Sequence, residues 1–163
     1  MWFNMKPSDS SFVESAPHRI AVVEFIDAPP ERVFDIFANA EGQNEWMHDF
    51  KECRWTSPEP HGVGTTREIE LKVITVKERF LIWERGKRLM FSVDAGTVPL
   101  VTQMLEDIRL EPQFDGKSTR LVWHIHYAPT RLASPIHPIA RAIFGHMFAS
   151  SAKNLVDWVG KHG

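Results

Sequence analysis

Cysteine is almost missing: Cys53 is the only one among 163 residues, so no disulfide can form within the chain and nothing points to an oxidising compartment. No window approaches the roughly 20 apolar residues of a membrane-spanning helix. Met1 to Lys6 holds Trp2 and Phe3 but not the apolar stretch of a secretory signal. An excess of one charge is missing too. Lysine and arginine total 19 against 21 acidic residues, a formal charge of −2 with no long run of either sign. Nucleic acid is therefore not an expected partner, because binding a phosphate backbone requires a basic face. No Gly-rich phosphate loop, G-x-S-x-G turn or zinc-ligand spacing occurs, and there is no internal repeat. The expectation is a cytoplasmic protein with no metal, no cofactor and no integral membrane segment.

What remains suits one core, since a chain of this length buries roughly 70% of its unfolded surface. Residues 1–17, rich in Ser and acidic groups from Pro7 onward, read as a flexible N-terminal arm. Trp2 and Phe3 in it are available to the body or to a partner subunit in a homodimer. Residues 18–163 read as a single domain.

His18 to Asp27 has the β-branched and aromatic content of a strand, although Val22-Val23 and Phe25-Ile26 break the alternation and leave its inward face undecided. Ala28-Pro29 is extended and a short helix starts near Pro30, with Glu31 at its positive end and Val33, Phe34, Ile36 and Phe37 at helical spacing. Asn39 and Gly42 end it. A weaker helical segment over Gln43 to Asp49 carries Trp46 and Met47. Strands follow over Phe50–Ser57, Thr65–Lys72, Ile74–Glu84, Arg88–Ala95, Leu100–Phe114 and Ser118–Ala128. Short turns join them, including the hairpin signal Asp115-Gly116, so the pattern predicts an antiparallel meander. One long helix, capped by Ser134 or His137, closes the chain. Ile139, Ile143 and Met147 with Phe144, Phe148, Ser151, Leu155 and Trp158 make a broad apolar stripe on it. Small residues from Gly145 to Ala152 either let this helix approach the sheet or leave volume for a guest.

The apolar parity of each strand turns three charged residues inward. Ile69 and Leu71 carry Arg67 with them; Ile74, Val76, Phe80 and Ile82 carry Glu78; Ile108 and Leu110 carry Glu106 and Met104. A buried charge is costly unless paired, so these residues either form structural ion pairs or anchor a carbonyl or hydroxyl of a ligand. His124 and His126 share the opposite side of the last strand from Trp123 and Tyr127. They lack a third metal ligand and read as an exposed outer face. Trp46 and Trp123 are the expected aromatic walls of any pocket.

Ile26-Asp27-Ala28-Pro29-Pro30-Glu31-Arg32-Val33-Phe34, Trp46, Gly62-Val63-Gly64-Thr65, Glu84-Arg85-Gly86-Lys87-Arg88-Leu89, Gly116-Lys117-Ser118-Thr119-Arg120-Leu121-Val122-Trp123, Phe148 and Leu155 occur in this order over residues 18 to 160. In these motifs the chain resembles the START-domain and polyketide-cyclase superfamily, whose helix-grip fold is shared with birch-pollen-allergen-like proteins. The resemblance implies an α+β fold: a curved antiparallel sheet of about seven strands wrapped around a long C-terminal helix, with two short helices after the first strand. It also implies a cavity between sheet and helix for an apolar or aromatic molecule; by the faces read above, its expected lining is Trp46, Arg67, Glu78, Met104, Glu106, Trp123, Phe144, Met147 and Phe148. Such scaffolds serve as carriers of lipids, isoprenoids or aromatic polyketides, as cyclase or dehydratase enzymes, and as protein-interaction modules. In the enzyme reading Arg67, Glu106 and His146 would orient a polyketide and move protons.

Overall fold

In the computed structural model, which describes residues 1–163, the chain runs β1 (Phe3–Asn4), α1 (Phe12–Ser15), β2 (His18–Ile26), α2 (Pro30–Ala38), α3 (Gln43–Trp46) and β3 (Phe50–Trp55). It continues through β4 (Thr66–Leu71), β5 (Thr75–Glu84), β6 (Arg88–Gly96), β7 (Val101–Gln113), β8 (Ser118–Pro129), a 3-10 turn at Ser134–Ile136, and α4 (His137–His162). All strand pairs are antiparallel, in the order β2-β8-β7-β6-β5-β4-β3, and β1 adds to β6. The first long strand thus closes beside the last, and everything between is a meander. This is the helix-grip architecture. Register shifts in β3/β4, β5/β6 and β7/β8 bend the sheet around its concave face.

Local chemistry sets the elements that matter for the site. Pro29 is extended (φ −61°, ψ 151°) and Pro30 opens α2, where its missing N–H costs nothing. Val33, Phe34, Ile36 and Phe37 of α2 are buried against the sheet. The β7–β8 hairpin turns through left-handed Phe114, Asp115 and Gly116. At the α4 start neither Ser134 nor His137 caps; Ile136 is the N-cap residue and no side chain bonds the first turn.

Four expectations change on the concave and convex faces. The loose arm is instead laid on the body: Phe3 and Asn4 pair with Gly96 and Ala95, Met5 joins the main core, and Lys77 sits 4.4 Å over the Trp2 ring. Phe12 packs with Met90 and Leu105 on the convex side, covering apolar residues that a two-faced sheet would otherwise expose. For the same reason His126, the register partner of Leu105, is buried rather than exposed, and His124 is half-buried. Burial lowers the imidazole pKa of both. The irregularity between Phe80 and Ile82 flips the parity of β5, so Ile82 joins the convex cluster while Trp83 turns inward against Phe34 and Phe80. On α4, Ile139 and Ile143 are 67% and 63% exposed; only the stripe through Phe148, Leu155 and Trp158 is buried.

β2 carries no irregularity in its pairing with β8. Ile20, Val22 and Ile26 face inward, and Phe25 is left exposed.

Candidate functional site

One row of the ladder crosses the whole concave face. Trp55, Arg67, Glu78, Val93, Met104, Tyr127 and His18 are successive register partners on β3, β4, β5, β6, β7, β8 and β2. Directly opposed residues put their side chains on one face. The row therefore has a charged pair toward one edge, apolar groups in the middle and a Tyr–His pair toward the other edge. Glu78 and Tyr127 are three strand spacings apart, roughly 14 Å.

Above this row lies a cavity of about 110 Å³. A single water needs only about 10–15 Å³ on the same scale, so the space takes a guest far larger than water. Nineteen of its 24 lining residues are hydrophobic. Met104 and Ile125 form part of its sheet side; Ala140, Phe144, Met147 and Phe148 form its helix side. It reaches the surface beside α4, where His137 is half-buried and Arg141 exposed. None of the small residues from Gly145 to Ala152 lines the cavity. Ser151 and Ala152 are fully buried and allow close packing, whereas a Cβ added at Gly145 would meet nothing within 4 Å.

Met104, Glu78, Glu106, Phe144, Met147 and Phe148 of the expected residues line the cavity. Arg67, Trp46 and Trp123 do not. Trp46 is enclosed by the body, its ring edge-on to Phe37 at 5.4 Å and its Nε1 donating to the Glu41 carbonyl at 2.8 Å. Trp123 sits between Phe37 and Phe148 and donates from Nε1 to Glu106 Oε1 at 2.8 Å. Both are core aromatics, and Trp123 touches the site through Glu106 and Phe148. His146 is exposed and off the cavity wall.

Arg67 is buried behind Glu78. Its Nε donates to Glu78 Oε2 at 2.7 Å and its Nη1 to the Phe37 carbonyl at 3.2 Å, while Phe80, Trp55 and Phe91 present their rings at 4.8, 5.4 and 5.7 Å. The fold engages this guanidinium through Nε, Nη1 and the three flanking rings. Burial pushes the Glu78 carboxyl pKa up, opposed by Arg67. Burial also pushes Glu106 up, to about 8, helped by the negative charge of Glu78 and opposed by the Trp123 hydrogen bond and Arg67. One cation faces two carboxyl groups. The short contact to it belongs to Glu78, and Glu106, pushed up to about 8, carries the proton at neutral pH. A neutral carboxylic acid on an apolar wall donates a hydrogen bond to a carbonyl or hydroxyl without adding charge to the lumen.

Tyr127, His137 and Arg141 line the open end and were not among the expected site residues. Tyr127 was legible as an inward position of the last strand. Arg141 stands one turn after His137, on the same side of the helix, in a stretch that has no acidic residue from Gly116 to Val156. No group of three or more His, Cys, Asp or Glu side chains is placed to hold a metal ion, and no helix is long and apolar enough to cross a membrane.

Known proteins share this architecture. A START superfamily protein from Mycobacterium smegmatis superposes with a TM-score of 0.75 at 14% identity, covering 90% of this chain and 99% of that one. The Zhui aromatase/cyclase from Streptomyces gives 0.74 at 12% identity over 88% and 94% of the two chains. Ginseng major latex-like protein from Panax ginseng gives 0.67 at 11% over 86% and 95%. An uncharacterised Mycobacterium tuberculosis protein is 32% identical over 129 residues, 78% of this chain and 74% of that protein. The family model described as polyketide cyclase / dehydrase and lipid transport matches residues 17–160. Scaffold, cavity and sequence agree, and the chain belongs to the polyketide cyclase / dehydrase and lipid transport family.

Proposed function

We propose that this protein is a carrier or binding protein for one hydrophobic small molecule, of the lipid, isoprenoid or aromatic polyketide kind, held between the sheet and α4. The observation that supports this reading is the apolar cavity with the neutral Glu106 acid on its wall. Apolar walls with a few convergent polar groups are the usual form of a small-molecule site. Membership of a family described by both cyclisation and lipid transport supports hydrophobic ligand binding in general. Native mass spectrometry of the protein purified from its own host is expected to reveal a co-purifying apolar molecule. A protein that carries nothing, and takes up neither a fatty acid, an isoprenoid alcohol nor a polycyclic aromatic ketone when these are added, contradicts the reading.

A second reading, a cyclase- or dehydratase-type enzyme, is favoured by the same Glu106. A general acid or base works best with a pKa near the operating pH, and a carboxyl held near 8 meets that requirement. Turnover of a supplied poly-ketone that disappears in Glu106→Gln would promote this reading. Absence of turnover by the native chain, or turnover that survives the substitution, would remove it.

A further inference from the structure

The open end of the cavity is built from groups that lack an anion. Tyr127 Oη lies 2.7 Å from His137 Nε2. Arg141 Nη1 donates to Tyr127 Oη at 3.5 Å, and its Nη2 donates to the Arg19 carbonyl at 2.8 Å. His18, the register partner of Tyr127, places its ring 4.2 Å from His137 and 5.5 Å from Tyr127. Two strands and the first turns of α4 thus bring four protonatable or hydrogen-bonding side chains to one edge of an apolar space.

Most arginines elsewhere meet carboxylates, Arg19 and Arg131 excepted, whereas the histidines divide, with His124, His126 and His146 also lying beside none. Arg67, Arg79, Arg85 and Arg88 each ion-pair with an Asp or Glu, and His48, His61 and His162 each lie beside one. Arg141, His18 and His137 have none within 4.0 Å. The His18 pKa is lowered by burial first and then by His137 and Arg141, and no negative group offsets them. Inside the cavity nothing repels an anion, because Glu78 is paired with Arg67 while Glu106 leans away from Tyr127 onto Trp123. The planar guanidinium of arginine matches a carboxylate or phosphate with two parallel donors.

We propose that the open end of the cavity holds the anionic head group, a carboxylate or a phosphate, of an amphiphile whose tail fills the apolar space beneath Phe144 and Met147. Arg141 supplies the charge, and Tyr127 Oη, when it accepts from His137 Nε2–H, donates its own proton to the head group. The assignment rests on the cavity reading given above and narrows its ligand class from any apolar molecule to an anionic amphiphile.

Isothermal titration of the full chain and of Arg141→Gln with octanoate, octyl phosphate and octan-1-ol tests this. At least one anion is expected to bind the native chain about tenfold or more tightly than the alcohol, the effect of one charge-assisted hydrogen-bonded pair, and Arg141→Gln is expected to remove most of that preference. The tighter of the two anions identifies the head group. If octan-1-ol binds as tightly as either anion, or if the preference persists in Arg141→Gln, the anionic site is overturned while the cavity reading stands. If none of the three binds, the anionic site is overturned, and the cavity reading falls as well only if the isoprenoid alcohol and the polycyclic aromatic ketone also fail to bind.

Discussion

From Phe148 to Val159, α4 buries Phe148, Ser151, Ala152, Leu155, Trp158 and Val159, whereas from His137 to Met147 it buries no residue fully and exposes Ile139 and Ile143. The two halves belong to one continuous helix of similar apolar content, so composition does not explain the difference. What lies beneath each half does. The C-terminal half is tied to the α2–α3 corner: Ser151 Oγ accepts from the His48 N–H at 2.9 Å, Asn154 Nδ2 donates to the Trp46 carbonyl at 3.3 Å, and Trp158 Nε1 donates to Glu45 Oε2 at 2.6 Å. Left-handed Gly42 completes this clamp, because a Cβ there would run into the Trp158 ring. The N-terminal half faces the open row of Val93, Met104 and Tyr127; His137 and Arg141 reach the sheet only at its β8 and β2 edge, and Ala140, Phe144 and Met147 face the cavity. One half fastens the helix and the other roofs the cavity.

The largest expected effect comes from the sheet. Arg67→Leu would leave Glu78 buried and unpaired, and chemical denaturation should show a loss of about 3–5 kcal/mol, most of it restored in Arg67→Leu/Glu78→Leu. A loss within the range of a surface substitution would show that Arg67 is not structural. On the clamped half, Leu155→Ala is expected to lose about 2–5 kcal/mol, as for other fully buried leucines.

Next in size is a pH effect at the cavity wall. Glu106 titrates near 8 in the folded chain against its ordinary 4.5. Its contribution is therefore fully present below about 4.5 and is lost as pH rises toward 8, since the unfolded chain has already released that proton. Glu106→Gln keeps the acceptor for Trp123 and carries no charge. Its stability should match the native chain at pH 4 and exceed it by a few kcal/mol at pH 9, one pKa unit corresponding to about 1.4 kcal/mol. A gap that does not change with pH would show that the fold leaves the Glu106 pKa at its ordinary value. Smallest of all, Ile143→Ala on the roofing half should stay within about 0.5 kcal/mol of the native chain, the range of exposed substitutions.

Short connections and periodicity carried the meander from β3 to β8, the α2 start and the inward placement of Arg67, Glu78 and Glu106, because alternation along a strand reports its face directly. It failed where partners come from distant segments. Nothing local says that Phe12 will cover the convex face above Leu105 and His126, that a register shift will turn Trp83 in and Ile82 out, or that Glu78 will take Arg67 away from the lumen. Trp46 and Trp123 show the same limit. Their positions were right for a wall, but Phe37 inserts between them and the two rings pack edge-on against it. The basic mouth escaped notice because Tyr127 and Arg141 belong to different elements and meet only when α4 returns across β2 and β8.

Methionine methyl NMR tests the roofed cavity most directly, because the chain supplies its own controls. Met5, Met47, Met104 and Met147 line the space, Met90 is buried on the opposite face of the sheet, and Met1 is exposed. On titration with octan-1-ol, the first four methyl signals should shift together while Met90 and Met1 stay still. Equal movement of Met90, or no movement of the four, would contradict a guest-holding space beneath α4.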